Sequence, residues 1–276
     1  MVTTDWLAAR LGEPELAIID ATWFMPDAGR DAAAEFAQRH IPGAVFFDID
    51  EVSDHASGLP HMLSAPQDFA VAARRLGVRR DSTVIVYDTH GLVSAARAWW
   101  NFRVMGHADA FVLDGGLAKW IAEGWPVESG WPTPSHGDFK AHFNPALVRD
   151  LEEVRAALES GVAQVIDARS SERFAGTAPE PRAGLRSGHM PGAKNLPFGL
   201  VAPGGVLADR AALQGAFTRA GIDLAAPIIT SCGSGITAAV LALALARLGR
   251  DDAAVYDGSW SEWGSRPDTA VVTGEA

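Results

Sequence analysis

Short β-branched apolar runs alternate along this chain with longer stretches whose apolar residues recur at helical spacing. The runs "STVIVYD" (82–88) and "APIITSC" (226–232) are each followed directly by a helical pattern, as expected of strands buried in a parallel sheet. The helical stretches "LVSAARAWWNFRVMG" (92–106) and "ITAAVLALALARLG" (236–249) both end at a glycine, which suits the left-handed residue that closes a helix. This alternation predicts an α/β fold with helices covering a mostly parallel sheet. In such sheets reactive groups gather beyond the carboxyl ends of the strands.

The pattern is written twice. "LAIIDATW" (16–23) recurs as "AQVIDARS" (163–170), and "HIPGAVFFDI" (40–49) as "HMPGAKNLPF" (189–198). "RLGV" (75–78) recurs as "RAGI" (219–222), and "VLDGGLAKW" (112–120) as "VYDGSWSEW" (255–263), always in the same order. Offsets of 143 to 149 residues indicate two copies of one domain. The expected boundaries are 1–130 and 146–276, joined by a linker over 131–145 within the Pro- and Gly-rich stretch 126–145.

Composition narrows the function classes. The residues are 48% hydrophobic and 21% charged, the profile of a globular protein. A net charge of −11 with no basic cluster argues against a nucleic-acid or anionic-membrane binder. The first residues, "MVTTDWLAARLGEP", carry charges and no apolar core, unlike a signal peptide. The longest apolar run, "AAVLALALA", is too short to span a bilayer. One cysteine cannot form an internal disulfide, so a reducing cytoplasm is the expected setting.

That cysteine, Cys232, stands at the end of a predicted strand and opens "CGSGIT" before a helix. Gly233 and Gly235 are expected to take positive φ and let backbone N–H groups approach closely. The helix's unpaired N–H groups and positive dipole end would face the sulfur, favouring a thiolate and any anion attached to it. A small buried hydrophobe is the commoner use of a lone cysteine, but these surroundings suit a nucleophile. A cysteine phosphatase would need an arginine six residues on. That place holds Ala238, and no basic residue lies between Cys232 and Arg247. In the first copy Asp88 occupies the nucleophile's place, so that domain is expected to be catalytically silent.

Tandem α/β domains, "HIPGA" and "GHMPGA", "YDGSWSEW" and a six-residue cysteine loop in the second copy alone resemble rhodanese-type sulfurtransferases. The resemblance covers essentially the whole chain and implies two tandem rhodanese-like domains. "CGSGIT" is similar to the loop of the mercaptopyruvate-using branch, whereas thiosulfate-using members carry basic residues directly after the cysteine. The implied chemistry moves sulfane sulfur from 3-mercaptopyruvate to Cys232 as a persulfide held by the loop of Gly233, Ser234, Gly235, Ile236 and Thr237. A thiol such as thioredoxin or a small thiol, or cyanide, then takes the sulfur, and pyruvate is released. No metal or organic cofactor is implied.

An insertion in the second copy, "RFAGTAPEPRAGLRSGH" (173–189), replaces the short "FAQRH" of the first. The family pattern places substrate-binding arginines at Arg173 and Arg182, and a guanidinium fork suits a carboxylate with its neighbouring keto oxygen. Arg186 matches no motif and is expected at the surface. The first copy has its own addition around "DIDEVSDHASGLPHML" (48–63). The resemblance implies a relay of Asp50, His61 and Ser234, in which His61 protonates the departing enolate. The other reading of His61 is a packing histidine. His40 and His189 precede "PGA" in both copies and are expected to be structural. The alternative functions are a thiosulfate:cyanide sulfurtransferase and a non-catalytic persulfide carrier.

Overall fold

The two repeated aspartate segments each form an internal strand of a separate parallel sheet. In a computed structural model that describes residues 1–275, the first sheet contains β1 (Leu16–Asp20), β2 (Val45–Phe46), β3 (Thr83–Tyr87) and β4 (Ala110–Val112), in the order β2-β1-β3-β4. The second contains β5 (Val148–Arg149), β6 (Gln164–Asp167), β7 (Lys194–Asn195), β8 (Ile228–Ser231) and β9 (Ala254–Tyr256), in the order β5-β9-β8-β6-β7. Every named pairing is parallel. Thus β1, β2, β3 and β4 correspond to β6, β7, β8 and β9, and the second sheet gains β5 at one edge. Helices flank both sheets, as the alternating pattern predicts.

Burial explains the pattern. All four residues of β8 are buried, and the helix Ala238–Arg247 buries every residue from Ala238 to Leu245. A helix apolar all round belongs in a core. Fully burying one Val or Leu stabilises the fold by about 1.5–3 kcal/mol. The corresponding helix Ser94–Val104 is almost as deep, and it folds Arg97 over the ring of Trp100 at 4.4 Å. Both helices stop at left-handed glycines, Gly106 (φ 83°) and Gly249 (φ 93°), as expected.

Register sets the functional ends. Asp20 pairs with Tyr87 in the first sheet and Asp167 with Ser231 in the second. The next residues, Asp88 and Cys232, therefore leave equivalent strand ends.

Contacts gather the chain into two units. One holds Met1–Asp54, Leu63–Asn144 and Gly204–Leu207; the other holds His55–Met62, Pro145–Pro203 and the chain from Ala208 on. The stretch expected as a linker has no helix or strand before Pro145, and through Asn144 it groups with the first unit. Phe139 fixes it there, buried against Phe69, Phe102 and His107. Among the described residues no helix is long and apolar enough to cross a membrane.

Candidate active site

Cys232 follows β8 directly and is buried, 2% exposed. Ser234, Gly235 and Ile236 are buried beside it, and the helix begins at Ala238. Its N-cap, Thr237, makes no side-chain hydrogen bond to the helix amides. Gly235 takes the expected positive φ of 79°. Gly233 does not, and its glycine has a different cause. A Cβ there would lie 3.1 Å from Arg173 Nη2 and 4.0 Å from Arg182 Nη1. A glycine at 233 leaves room for the Arg173 guanidinium, with Arg182 at contact distance beyond it.

Those arginines are placed by buried carboxylates and a histidine. Arg173 rides on the short helix Ser171–Ala175, whose N-cap Ser170 accepts from the Arg173 amide. Its Nη2 lies 2.5 Å from Oε2 of Glu180, a side chain only 1% exposed. Glu180 also takes Arg169 Nη1 at 2.7 Å, and Arg169 Nη2 reaches Asp167 at 2.6 Å. Arg169 is fully enclosed, stacked over the Trp260 ring at 4.2 Å, and donates to Gly188 O. Burial opposes its charge, but Asp167 and Glu180 more than offset this, and its guanidinium is held protonated more firmly than usual. The result is a chain of alternating charge, Asp167–Arg169–Glu180–Arg173, enclosed from Asp167 to Glu180 and ending beside Gly233 at the partly exposed Arg173.

Arg182 Nη2 lies 3.1 Å from His61 Nε2, and both residues belong to the second unit. Arginine has only donors, so Nε2 is the acceptor and carries no proton in this arrangement. His61 is buried and holds a left-handed backbone at φ 61°. Cys232, Gly233, Arg173, Arg182 and His61 thus belong to one cluster in the second unit, with Ser234 in the same loop. Asp50 belongs to the first unit, where its Oδ2 accepts from Trp23 Nε1 at 2.9 Å.

In the first copy, Asp88 Oδ2 accepts from the amides of Val93 and Ala95, both at 2.8 Å. The neighbouring Asp20 has no arginine two residues on; Thr22 stands there and bonds to it through N and Oγ1. Burial pushes the Asp20 carboxyl up to about 6, and the charge of Asp88 adds to the rise, while Thr22 and Tyr87 hydrogen bonds oppose it.

Other expectations resolve individually. His40 and His189 each bond through Nδ1 to a carbonyl, Phe36 O and Phe174 O, at 2.8 Å, and stack on those phenyl rings. Both are structural. Arg186 is not a free surface charge, because it donates to the carbonyls of Trp263, Gly264, Arg266 and Thr269. Its motif-less position concealed a role in fastening the chain. Trp260 and Trp263 are core residues, both buried. Sequence reading missed Arg169 and Glu180. The only available signals were Arg169 standing opposite Thr22 and Glu180 lying between two singled-out arginines.

Two α/β units, each built on a parallel sheet, with a single cysteine loop define a duplicated domain protein with one thiol centre. A family model described as a rhodanese-like domain matches residues 3–123 and 150–266. The chain belongs to the rhodanese-like family, as a tandem pair. It is 47% identical to 3-mercaptopyruvate sulfurtransferase of Escherichia coli strain K12, covering 98% of this chain and 96% of that protein. It is 44% identical to Arabidopsis thaliana thiosulfate/3-mercaptopyruvate sulfurtransferase 1, mitochondrial, covering 100% of this chain and 79% of the relative. The crystal structure of SseA from E. coli, described as one of the 3-mercaptopyruvate sulfotransferases, matches with a TM-score of 0.87 at 45% identity. That match covers 94% of this chain and 98% of that one.

Proposed function

We propose that this protein is a sulfurtransferase that takes sulfur from 3-mercaptopyruvate onto Cys232 and passes it to a thiol, releasing pyruvate. The observation carrying this reading is the convergence of Arg173 and Arg182 on Gly233, next to Cys232, in a loop with no cation of its own. The arginines bind the donor's carboxylate and keto oxygen, which a planar fork matches better than an ammonium does.

Cys232 thiolate attacks the thiol sulfur of the donor. The S–S bond forms, the C–S bond to C3 breaks, and its electron pair enters the pyruvate enolate. A proton then adds at C3 to give pyruvate, balanced by the proton of the donor's thiol. The terminal sulfur, as Cys–S–S⁻, faces the loop of Gly233, Ser234, Gly235, Ile236 and Thr237, whose amides stabilise the charge. An acceptor thiolate takes this outer sulfur and returns Cys232 to its thiolate, completing a double displacement. Thioredoxin, a small thiol or cyanide serves as acceptor. A thiol nucleophile that must stay reduced suits the cytoplasm.

His61 has two successive tasks. Before the donor binds it holds Arg182; when Arg182 turns to the carboxylate, Nε2 becomes free to exchange a proton with C3. Ser234, in the same loop as Cys232, passes the proton.

The test is to compare initial rates with mercaptopyruvate and thiosulfate, together with the mass of the Cys232 peptide after donor alone. Mercaptopyruvate should be the better donor and add one sulfur atom to that peptide. Preference for thiosulfate would favour a thiosulfate:cyanide sulfurtransferase, and loading without turnover would favour a persulfide carrier.

A further inference from the structure

Among the described residues only two that are not glycine hold a left-handed backbone, His61 and Ser259 (φ 49°). A residue with a Cβ adopts this conformation at a cost that glycine does not bear. In the first copy the matching residue is Gly116, at φ 54°. There, a Cβ would lie 2.2 Å from Asp88 O, so serine has no room without movement of the loop. The turn is left-handed in both copies, yet the copy with the cysteine uses serine.

The hydroxyl accounts for that choice. Ser259 is fully buried, and its Oγ donates to Tyr256 O at 2.8 Å. The same oxygen accepts from the amide of Cys232 at 3.2 Å. Next to it, Trp260 N donates to Cys232 O at 3.0 Å, and Ser261 donates to Gly233 O through both N (2.8 Å) and Oγ (2.7 Å). The peptide groups on both sides of Cys232 are therefore gripped by one three-residue segment. The first copy retains the bond from Leu117 N to Asp88 O at 3.0 Å, but Gly116 and Ala118 replace the two hydroxyl residues.

We propose that Ser259, assisted by Ser261, is a positioning residue for sulfur transfer. It fixes the orientation of the Cys232 backbone so that Sγ and the transferred sulfur meet the loop amides in line with the incoming donor. This rests on the reading of Cys232 as the sulfur acceptor. Such a residue acts on the chemical step and leaves donor binding to Arg173 and Arg182.

The deciding variant is Ser259→Gly, which removes the hydroxyl while relieving the backbone. Its melting temperature should equal or exceed that of the parent, while single-turnover sulfur loading of Cys232 from mercaptopyruvate slows about tenfold or more. KM for the donor should stay within about twofold. Ser261→Ala should slow loading in the same direction by a smaller factor. Parental loading rates in Ser259→Gly would overturn the inference. So would a fall in melting temperature that tracks the loss of rate, because the hydroxyl would then serve stability alone. If Ser259→Gly cannot be purified folded, an unchanged loading rate in Ser261→Ala overturns the claim and a slowed rate at parental KM supports it. The parent protein, loaded in parallel, separates this test from the underlying reading: absence of sulfur on its Cys232 would reject the sulfur-transfer mechanism itself.

Discussion

The Asp88 loop and the Cys232 loop are the same turn with opposite occupancies. Both leave the third strand of the four-strand repeat and run into a deeply buried helix. In the first, the Asp88 carboxylate accepts from Val93 N and Ala95 N and fills the anion cradle with a group of the chain itself. In the second, a sulfur atom stands in place of the carboxylate and Thr237 supplies no side-chain cap. Two arginines approach from outside instead. The first loop thus differs from the second by an occupied cradle as much as by a missing thiol.

The strongest way to break this comparison is Cys232→Asp, which writes the first loop into the second. We expect complete loss of sulfur uptake and turnover, with the melting temperature within a few degrees of the parent, as the carboxylate caps the loop amides. Persistent uptake of sulfur by this variant would dismiss Cys232 as the acceptor.

Asp167→Asn is next in size. It removes one partner of the fully buried Asp167–Arg169 pair, and we expect destabilisation by about 3–5 kcal/mol in denaturant titration. Because Arg169 shares Glu180 with Arg173, donor KM should rise as well. A variant as stable as the parent would mean that the ion chain contributes little to the fold.

Truncating the two arginines beside Gly233 comes third. Arg173→Ala or Arg182→Ala should lower kcat/KM for mercaptopyruvate by about 1.5–3 kcal/mol, the scale of a hydrogen bond to a charged group. Discharge of a preformed persulfide to a thiol should change far less. Equal losses in both half-reactions would make these residues architectural.

The smallest effect sharpens the comparison by reversing the sign seen at Asp167. Asp20 sits at the same register but has no buried arginine beside it, and burial raises its folded value from 3.8 to about 6. The folded state therefore holds the proton more tightly than the unfolded chain. This contribution is fully present below pH 4, falls between pH 4 and 6, and is absent above. Asp20→Asn should raise stability at pH 7 by about 1–3 kcal/mol and give little gain at pH 4. Equal gains at both pH values would show that ionisation of Asp20 is not the cause.

Much of this was legible in the sequence for a physical reason. Strands and helices buried on every side leave unbroken apolar runs, and a duplicated domain repeats its turns at fixed offsets. Cys232 was visible because a strand end, glycines and a helix start are all local features. Arg173 and Arg182 stood out as an insertion in one copy. The partners that hold them did not, because Arg169–Glu180 and Ser259–Cys232 connect residues 11 and 27 positions apart with no local pattern. Gly233 was marked correctly for the wrong cause, since space beside a guanidinium and a left-handed backbone look identical as the letter G. Ser259 lay in plain view opposite Gly116, but only its φ reveals that the serine is an exception.

The grip of Arg186 on residues 263–269 has a practical side. The same insertion that supplies Arg173 and Arg182 is tied by Arg186 to Trp263, Gly264, Arg266 and Thr269, and by His189 to Val272. Gly274 N also bonds back to Ala175 O, two residues from Arg173. An affinity tag, a protease cut or a truncation within residues 265–274 therefore acts from behind on the segment that carries Arg173 and Arg182. Workers engineering this enzyme for immobilisation should anchor it through the first copy and leave these residues unencumbered.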